Sequence, residues 1–346
     1  MYKEEIDLKI TVFFRNLFNK KSNQKLLNIP KTRYHELVES IDDFELCKMF
    51  IDEMTPELEN IRVKYRDNPD DYPLQTKVSV VDSIEIVKKF FESIDKKMAK
   101  KVNDIISGTN PDIILETKNV NFAETTDPDK KPVKVRIPIR GDIRQLYEFV
   151  HECTHTFDID NGWTDTRMVL AEVAPQCMER LLDGYLLEMS GEELQKYGFE
   201  KKVLERDIHE RRILTFFSRL WNVEALNEFN EVKKGIILEK DRKYTTGDPK
   251  KDSRYMLAQI YSAHFNKFGK SQKKNKLIKF IENVNKDNFN GANKCFEMQI
   301  GKKYKLKRGF YISDTISEIE ALIKPKSQIG NEEKVQVHDM EQDIMK

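Results

Sequence analysis

The chain has 346 residues, 39% hydrophobic and 34% charged. That is enough apolar material for one large or two smaller domains with a buried core, and too much for a disordered chain. Sixty Lys and Arg stand against 59 Asp and Glu, a formal net charge of +1, so neither nucleic acid nor an anionic membrane is expected as the partner.

The first residues, Met1-Tyr2-Lys3-Glu4-Glu5, carry acids where an export signal carries only positive charge. The apolar run Ile10 to Phe14 stops at Arg15, and no window is apolar enough to span a bilayer. The four cysteines, Cys47, Cys153, Cys177 and Cys295, are scattered and form no Cys-x-x-Cys pair. A reducing, cytoplasmic setting with free thiols is the expectation.

In chain order, apolar positions three and four apart predict helices over 4–19 and 35–54. The breaker-rich loop Asn68-Pro69-Asp70-Asp71-Tyr72-Pro73 separates them from the rest. The expected division is therefore an N-terminal helical segment at 1–75, a main domain at 76–325 and a flexible polar tail at 326–346. A helix follows over 81–105, where Ile84, Val87 and Phe91 share one stripe. Residues 132–139 alternate Val133, Val135, Ile137 and Ile139 with Lys134, Arg136 and Pro138, the pattern of a strand. A second strand at 119–123, with turn chemistry from Thr125 to Lys131, makes the pair read as a hairpin. Helices are predicted again over 142–158, 166–189, 191–239 and 253–268. The fold class is thus mainly α with a small antiparallel β-sheet (α+β). Lys267 to Arg308 holds thirteen Lys and Arg against three acids. Without a regular Arg and aromatic alternation it reads as a solvated basic face.

The chemistry concentrates in His151-Glu152-Cys153-Thr154-His155. Residues four apart on a helix stand one turn above each other, so His151 and His155 can aim ring nitrogens at one zinc ion, with Glu152 beside it as the base for a water. Asp142 is the expected N-cap, and Ile143, Leu146, Val150, Cys153 and Phe157 form the anchoring stripe. Glu148, His151, Glu152 and His155 are left on another face.

Zinc needs a third protein ligand, and no third histidine follows closely. The candidate is Glu172 in Ala171-Glu172-Val173-Ala174-Pro175-Gln176-Cys177-Met178-Glu179. Glu172, Gln176 and Glu179 share one helical face, which makes Glu179 either an acceptor for a ligating histidine's second N–H or an ordinary surface acid. Pro175 is expected to kink this helix or mark an irregular turn near its beginning.

The pairing of His-Glu-x-x-His with Glu-x-x-x-Gln-x-x-Glu resembles the thimet oligopeptidase and oligoendopeptidase F family of gluzincin peptidases. Ser83 to Phe91 is similar to a helix preceding that family's sheet. Tyr255-Met256-Leu257-Ala258-Gln259-Ile260-Tyr261-Ser262-Ala263 resembles its tyrosine-bearing helix. The resemblance covers roughly residues 80 to 265. It departs at three places: sixteen residues separate His155 from Glu172, fewer than usual in the family; no histidine lies between His209 and His264; and only about eighty residues precede the matching region.

The resemblance implies a zincin-type catalytic core over 76–325 with the oligoendopeptidase fold, a zinc cofactor, and peptide or protein segments as substrate. It also implies Tyr255 as donor to the oxyanion; the residues alone equally allow a core tyrosine at a helix start. Val133 to Ile139 looks like the edge strand on which such enzymes lay a substrate. The expected function is a zinc-dependent endopeptidase. A zinc hydrolase of a non-peptide amide and a degenerate peptidase serving as a binding scaffold stay open, and no sequence feature fixes an oligomeric state.

Overall fold

The computed structural model describes residues 73–118, 123–126, 131–157, 165–244, 249–263, 265, 268–286 and 294–295. The expected helices at 4–19 and 35–54, the tail at 326–346, His264 and half of the basic stretch lie outside the described residues.

Ser79 caps α1 (Val80–Ile94), its hydroxyl accepting the Asp82 N–H. The expected continuous helix over 81–105 is divided at Asp95, whose extended backbone and carboxylate cap α2 (Lys96–Ile106) by accepting the Lys97 and Met98 N–H groups. A local side-chain acceptor outcompetes helix continuation there.

The sheet corrects the sequence reading. Strands β1 (Ile113–Lys118), β2 (Glu124–Thr125) and β3 (Val133–Pro138) lie in the order β1-β3-β2. The sheet is mixed rather than antiparallel: β3 runs parallel to β1 from Ile113↔Val133 to Lys118↔Pro138, and antiparallel to β2 at Arg136 and Val135. Ile113-Ile114-Leu115 does not alternate with polar residues, which hid β1. Of the strand expected at 119–123, only Ala123 is described, and it is not in a strand. Thr125, read as turn chemistry, belongs to β2. Paired on both sides, β3 is the central strand and offers no edge to a substrate. Arg136 binds Glu116 of β1 and Glu124 of β2, tying the three strands across one face.

Gly141, at φ +69°, turns the chain from β3 into α3 (Arg144–His155), a conformation that costs glycine little. Asp142 sits one residue before the N-cap Ile143, and its carboxylate accepts the Arg144 N–H at 3.0 Å. The buried Gln145 closes this corner. Its oxygen accepts the Arg140 N–H at 3.1 Å, and its nitrogen donates to Ser83 Oγ of α1 at 2.6 Å.

The helix that carries Glu172 is α4 (Asp165–Leu187), and Pro175 lies well inside it rather than near its beginning. The expected helix at 191–239 is two: α5 (Gly191–Lys196) and α6 (Lys201–Lys233). Gly198 at φ +67° allows the reversal between them, with the Phe199 N–H closing on the Leu194 carbonyl at 2.8 Å. Pro249 opens α7 (Pro249–Ala263), a favoured helix-start residue because it needs no N–H there. The unexpected α8 (Lys270–Asn285) sits in the basic stretch, anchored by buried Leu277, Phe280, Ile281 and Val284.

α4 is the hub, packed by α3, α6, α7 and α8, while α3 also lies on β3 and touches β2. One apolar core runs through these elements, including Phe90, Phe149, Phe216 and Phe280. The result is a mainly helical α+β fold. Among the described residues no helix is long and apolar enough to cross a membrane.

Candidate metal centre

The stripe expected to anchor α3 is buried throughout: Ile143, Leu146, Val150, Cys153 and Phe157. The opposite face does not open to bulk water as a surface helix would. His151, Glu152 and His155 are buried as well, because α4 covers them.

On α4, Glu172 and Glu179 reach α3 while Gln176 reaches α7, donating to the Tyr255 carbonyl, and all three are buried. His151 Nε2 lies 3.2 Å from Glu172 Oε2, and His155 Nε2 lies 3.6 Å from Glu172 Oε1. One ligand atom from each of His151, His155 and Glu172 falls within 4.8 Å of the others. A tetrahedral site with bonds of roughly 2.0–2.1 Å has edges of about 3.3 Å between ligand atoms, so the two measured separations suit a small cation between them. Glu172 Oε2 is buried with no aligned hydrogen-bond donor, His151 Nε2 at 3.2 Å being its near contact, and a cation between the two would satisfy it. The His151/His155/Glu172 group can therefore bind a metal ion.

His151 Nδ1 is 2.7 Å from Glu179 Oε1, so Glu179 is not a surface acid. Its other oxygen accepts from Arg211 Nη1 of α6 at 2.9 Å. Arg211 in turn lies 3.4 Å over the Tyr147 ring, and the Tyr147 hydroxyl donates to Asp183 at 2.5 Å. Burial alone would lower the His151 pKa, but the Glu172 and Glu179 carboxylates beside its ring raise it to about 10. For Glu179, burial pushes upward, and His151 and Arg211 bring it down to about 2. Burial drops His155 to about 4. Without a metal, then, the centre holds one imidazolium and one neutral imidazole.

Glu152 faces the cavity beside this group. Thr125 Oγ1, on β2, donates to Glu152 Oε2 at 2.7 Å and lies 3.1 Å from the Glu152 carbonyl. Burial pushes the Glu152 carboxyl up to about 7, against the pull of His151 and Thr125. A carboxylate near that value can take and return a proton at neutral pH.

Tyr255 stands in the first turns of α7, with its carbonyl accepting from Gln176 Nε2 at 3.2 Å. The Glu172 carboxylate, then burial, raise its phenol well above the ordinary range. It therefore lies against a candidate ligand rather than in the apolar core. Tyr261 is buried in the core. Cys153 and Cys177 are fully buried and stand outside the ligand cluster; burial pushes the Cys153 thiol far up, leaving it a packing group.

His151, Glu152, Glu179 and Tyr255 border a cavity of about 260 Å³, closed by Tyr147 of α3 and by Arg211 and Arg219 of α6. Thr125, Arg211 and Arg219 were not singled out from sequence. Asp207, Arg211, Thr215 and Arg219 recur every four residues on α6, a row indistinguishable by pattern from a solvated helix face. Thr125 gave no signal at all.

No protein-family model matches the chain, and no curated protein matches it. Among solved structures it is similar to the crystal structure of a "putative peptidase" from Chlamydophila abortus, at 13% identity and a TM-score of 0.46. That similarity covers 89% of this chain and 57% of the other, so this chain spans little more than half the length of that protein.

Proposed function

We propose that this chain is a zinc-dependent endopeptidase of the gluzincin class, acting on oligopeptides or extended segments. The observation that carries the reading is the convergence of His151, His155 and Glu172 on one point, with Glu152 lining a cavity beside His151. Two imidazoles and a carboxylate are a zinc-type donor set that leaves a fourth position open. Zinc held there would polarise a scissile carbonyl and acidify a water.

The remaining work falls to the chain's own side chains. Glu152, with Oε2 held by Thr125, keeps Oε1 to accept the water's proton and deliver it to the leaving amine. Tyr255, next to Glu172, is placed to donate to the charge that develops on the carbonyl oxygen. Glu179 orients His151 through Nδ1. Among the described residues β2 pairs on one side only, so an extended substrate would add to β2 beside Glu152.

The balanced charge supports a peptide or protein partner rather than nucleic acid or membrane. Free Cys153, Cys177 and Cys295 support a cytoplasmic setting.

The test is metal analysis combined with chelator-sensitive cleavage of a random peptide mixture, comparing the native chain with Glu152→Gln. Zinc in both and cleavage only in the native chain is expected, with a loss of about 10²–10⁴-fold for the variant. Full activity in Glu152→Gln overturns the assignment. Zinc binding with cleavage of acylated small molecules but no peptides would point instead to a non-peptide amide hydrolase. Zinc binding with no hydrolysis would point to a scaffold.

A further inference from the structure

Three guanidinium groups border the cavity, and two are already committed. Arg144 pairs with Asp142 at 2.7 Å, and Arg211 with Glu179 at 2.9 Å. Arg219 is different. It makes no ion pair or hydrogen bond with any described carboxylate, and its Nε, like that of Arg211, is buried without an acceptor. Its guanidinium lies 4.4 Å over the Tyr255 ring, and its charge also acts on the nearby Glu172 and Glu179 carboxylates without bonding to either.

A buried donor with no acceptor is costly unless something else satisfies it. Stacking on a ring leaves the edge of the guanidinium fork free, and that edge matches a carboxylate bidentately. The ring beneath it belongs to Tyr255, whose phenol lies beside Glu172. Arg219 therefore stands one side chain away from the candidate ligand Glu172 and lines the same cavity as His151. At about 260 Å³ that cavity is smaller than the roughly 300–1,000 Å³ of a drug-sized pocket. It suits one side chain or chain end of a longer substrate.

We infer that Arg219 is a specificity residue that receives a carboxylate of the substrate, either the C-terminal carboxylate or an Asp or Glu side chain close to the scissile bond. This rests on the peptidase reading for the identity of the substrate, but not for the presence of the anion site. No covalent step is involved. The role is distinct from tuning Tyr255, because a carboxylate receptor distinguishes an acid from its amide and a tuning residue does not.

The test reads binding rather than turnover, by calorimetry on the zinc-loaded full-length chain. The probes are N-acetyl-phenylalanine, its amide, and N-acetyl-glutamic acid α-amide, which carries its only carboxylate on the side chain. At least one of the two acids is expected to bind tenfold or more tightly than N-acetyl-phenylalaninamide. Which acid gains shows whether a chain end or an acidic side chain is read. Arg219→Gln is expected to erase the advantage, and Arg219→Lys, which keeps the charge but not the fork, to restore part of it. An advantage that survives in Arg219→Gln places the carboxylate on the metal or elsewhere and overturns the inference. Equal binding of acids and amide to the native chain, or binding of none of them, overturns it as well. A separate digest of a random peptide mixture decides the peptidase reading, so either can fail without the other.

Discussion

The Nδ1 of His151 lies 2.7 Å from Glu179 Oε1, and this contact sets which way the imidazole faces. With Nδ1 engaged, Nε2 is the nitrogen left to turn toward Glu172, 3.2 Å away. Glu179 is itself fixed by Arg211 at 2.9 Å, so the orientation of a candidate ligand traces back to α6.

Weakening that contact should weaken metal binding without removing a ligand. Glu179→Gln is expected to lower zinc affinity about 10–100-fold, measured by competition with a chromophoric chelator. The far-UV spectrum should not change. Unchanged affinity would make Glu179 a structural partner of Arg211 alone.

The same geometry gives a proton count. In the metal-free protein burial works against the His151 charge, yet Glu172 and Glu179 hold its pKa at about 10. A metal on Nε2 competes with that proton, so loading at pH 7 should release at least one proton per zinc. Calorimetry in buffers of different ionisation enthalpy measures it, and an enthalpy independent of buffer would contradict the charged His151. The stability of the metal-free chain follows the same sign. The folded value of about 10 exceeds the ordinary 6.5. This contribution is therefore complete below about pH 6.5 and is lost as pH rises through 10. Its thermal midpoint should fall across that interval.

Much of this centre was legible in the sequence because helical spacing is a local property. His151 and His155 four apart, and Glu172 and Glu179 seven apart, fix faces before any tertiary contact is known. The convergence of the two helices needed only that both faces be buried, which the apolar stripes of α3 and α4 arrange. What comes from elsewhere in the chain was not legible. Thr125 reaches Glu152 only because β2 pairs with β3, and a two-residue strand has no periodicity to read. The row from Asp207 to Arg219 looked like a wet helix face. Nothing local shows that Asp207 and Arg211 are buried, at 1% and 8% exposure. The mixed sheet escaped for a similar reason, since a parallel partner is set by a crossover rather than by a turn.

Thr125 is a test of how far Glu152 needs to be held. Thr125→Val keeps the β-branched shape suited to a strand and removes the hydroxyl that donates to Oε2. Turnover of a cleaved peptide should fall about tenfold, at the cost of roughly one hydrogen bond to a charged group. KM should move little, because Thr125 grips the base rather than the substrate. A change confined to KM would instead put Thr125 in substrate binding.

The last relationship is structural and lies on the same polar row of α6. Asp207 Oδ2 accepts the backbone N–H groups of Gln75 at 2.7 Å and Thr76 at 2.5 Å, while Oδ1 meets Arg206 at 2.9 Å. These contacts pin the segment leading into α1 against the helix that carries Arg211 and Arg219. Asp207→Ala leaves both N–H groups without their acceptor; Gln75 is exposed and water replaces it there, but Thr76 is buried, at a cost of about 1–3 kcal/mol. Urea unfolding should show a midpoint shift of that size with an unchanged slope, since the surface exposed on unfolding is the same. Asp241→Ala, at an exposed position, should stay within about 0.5 kcal/mol of the native chain. If the two variants unfold alike, the Asp207 contacts do not hold the segment, and the alignment of α6 with the metal centre must come from the α4 interface alone.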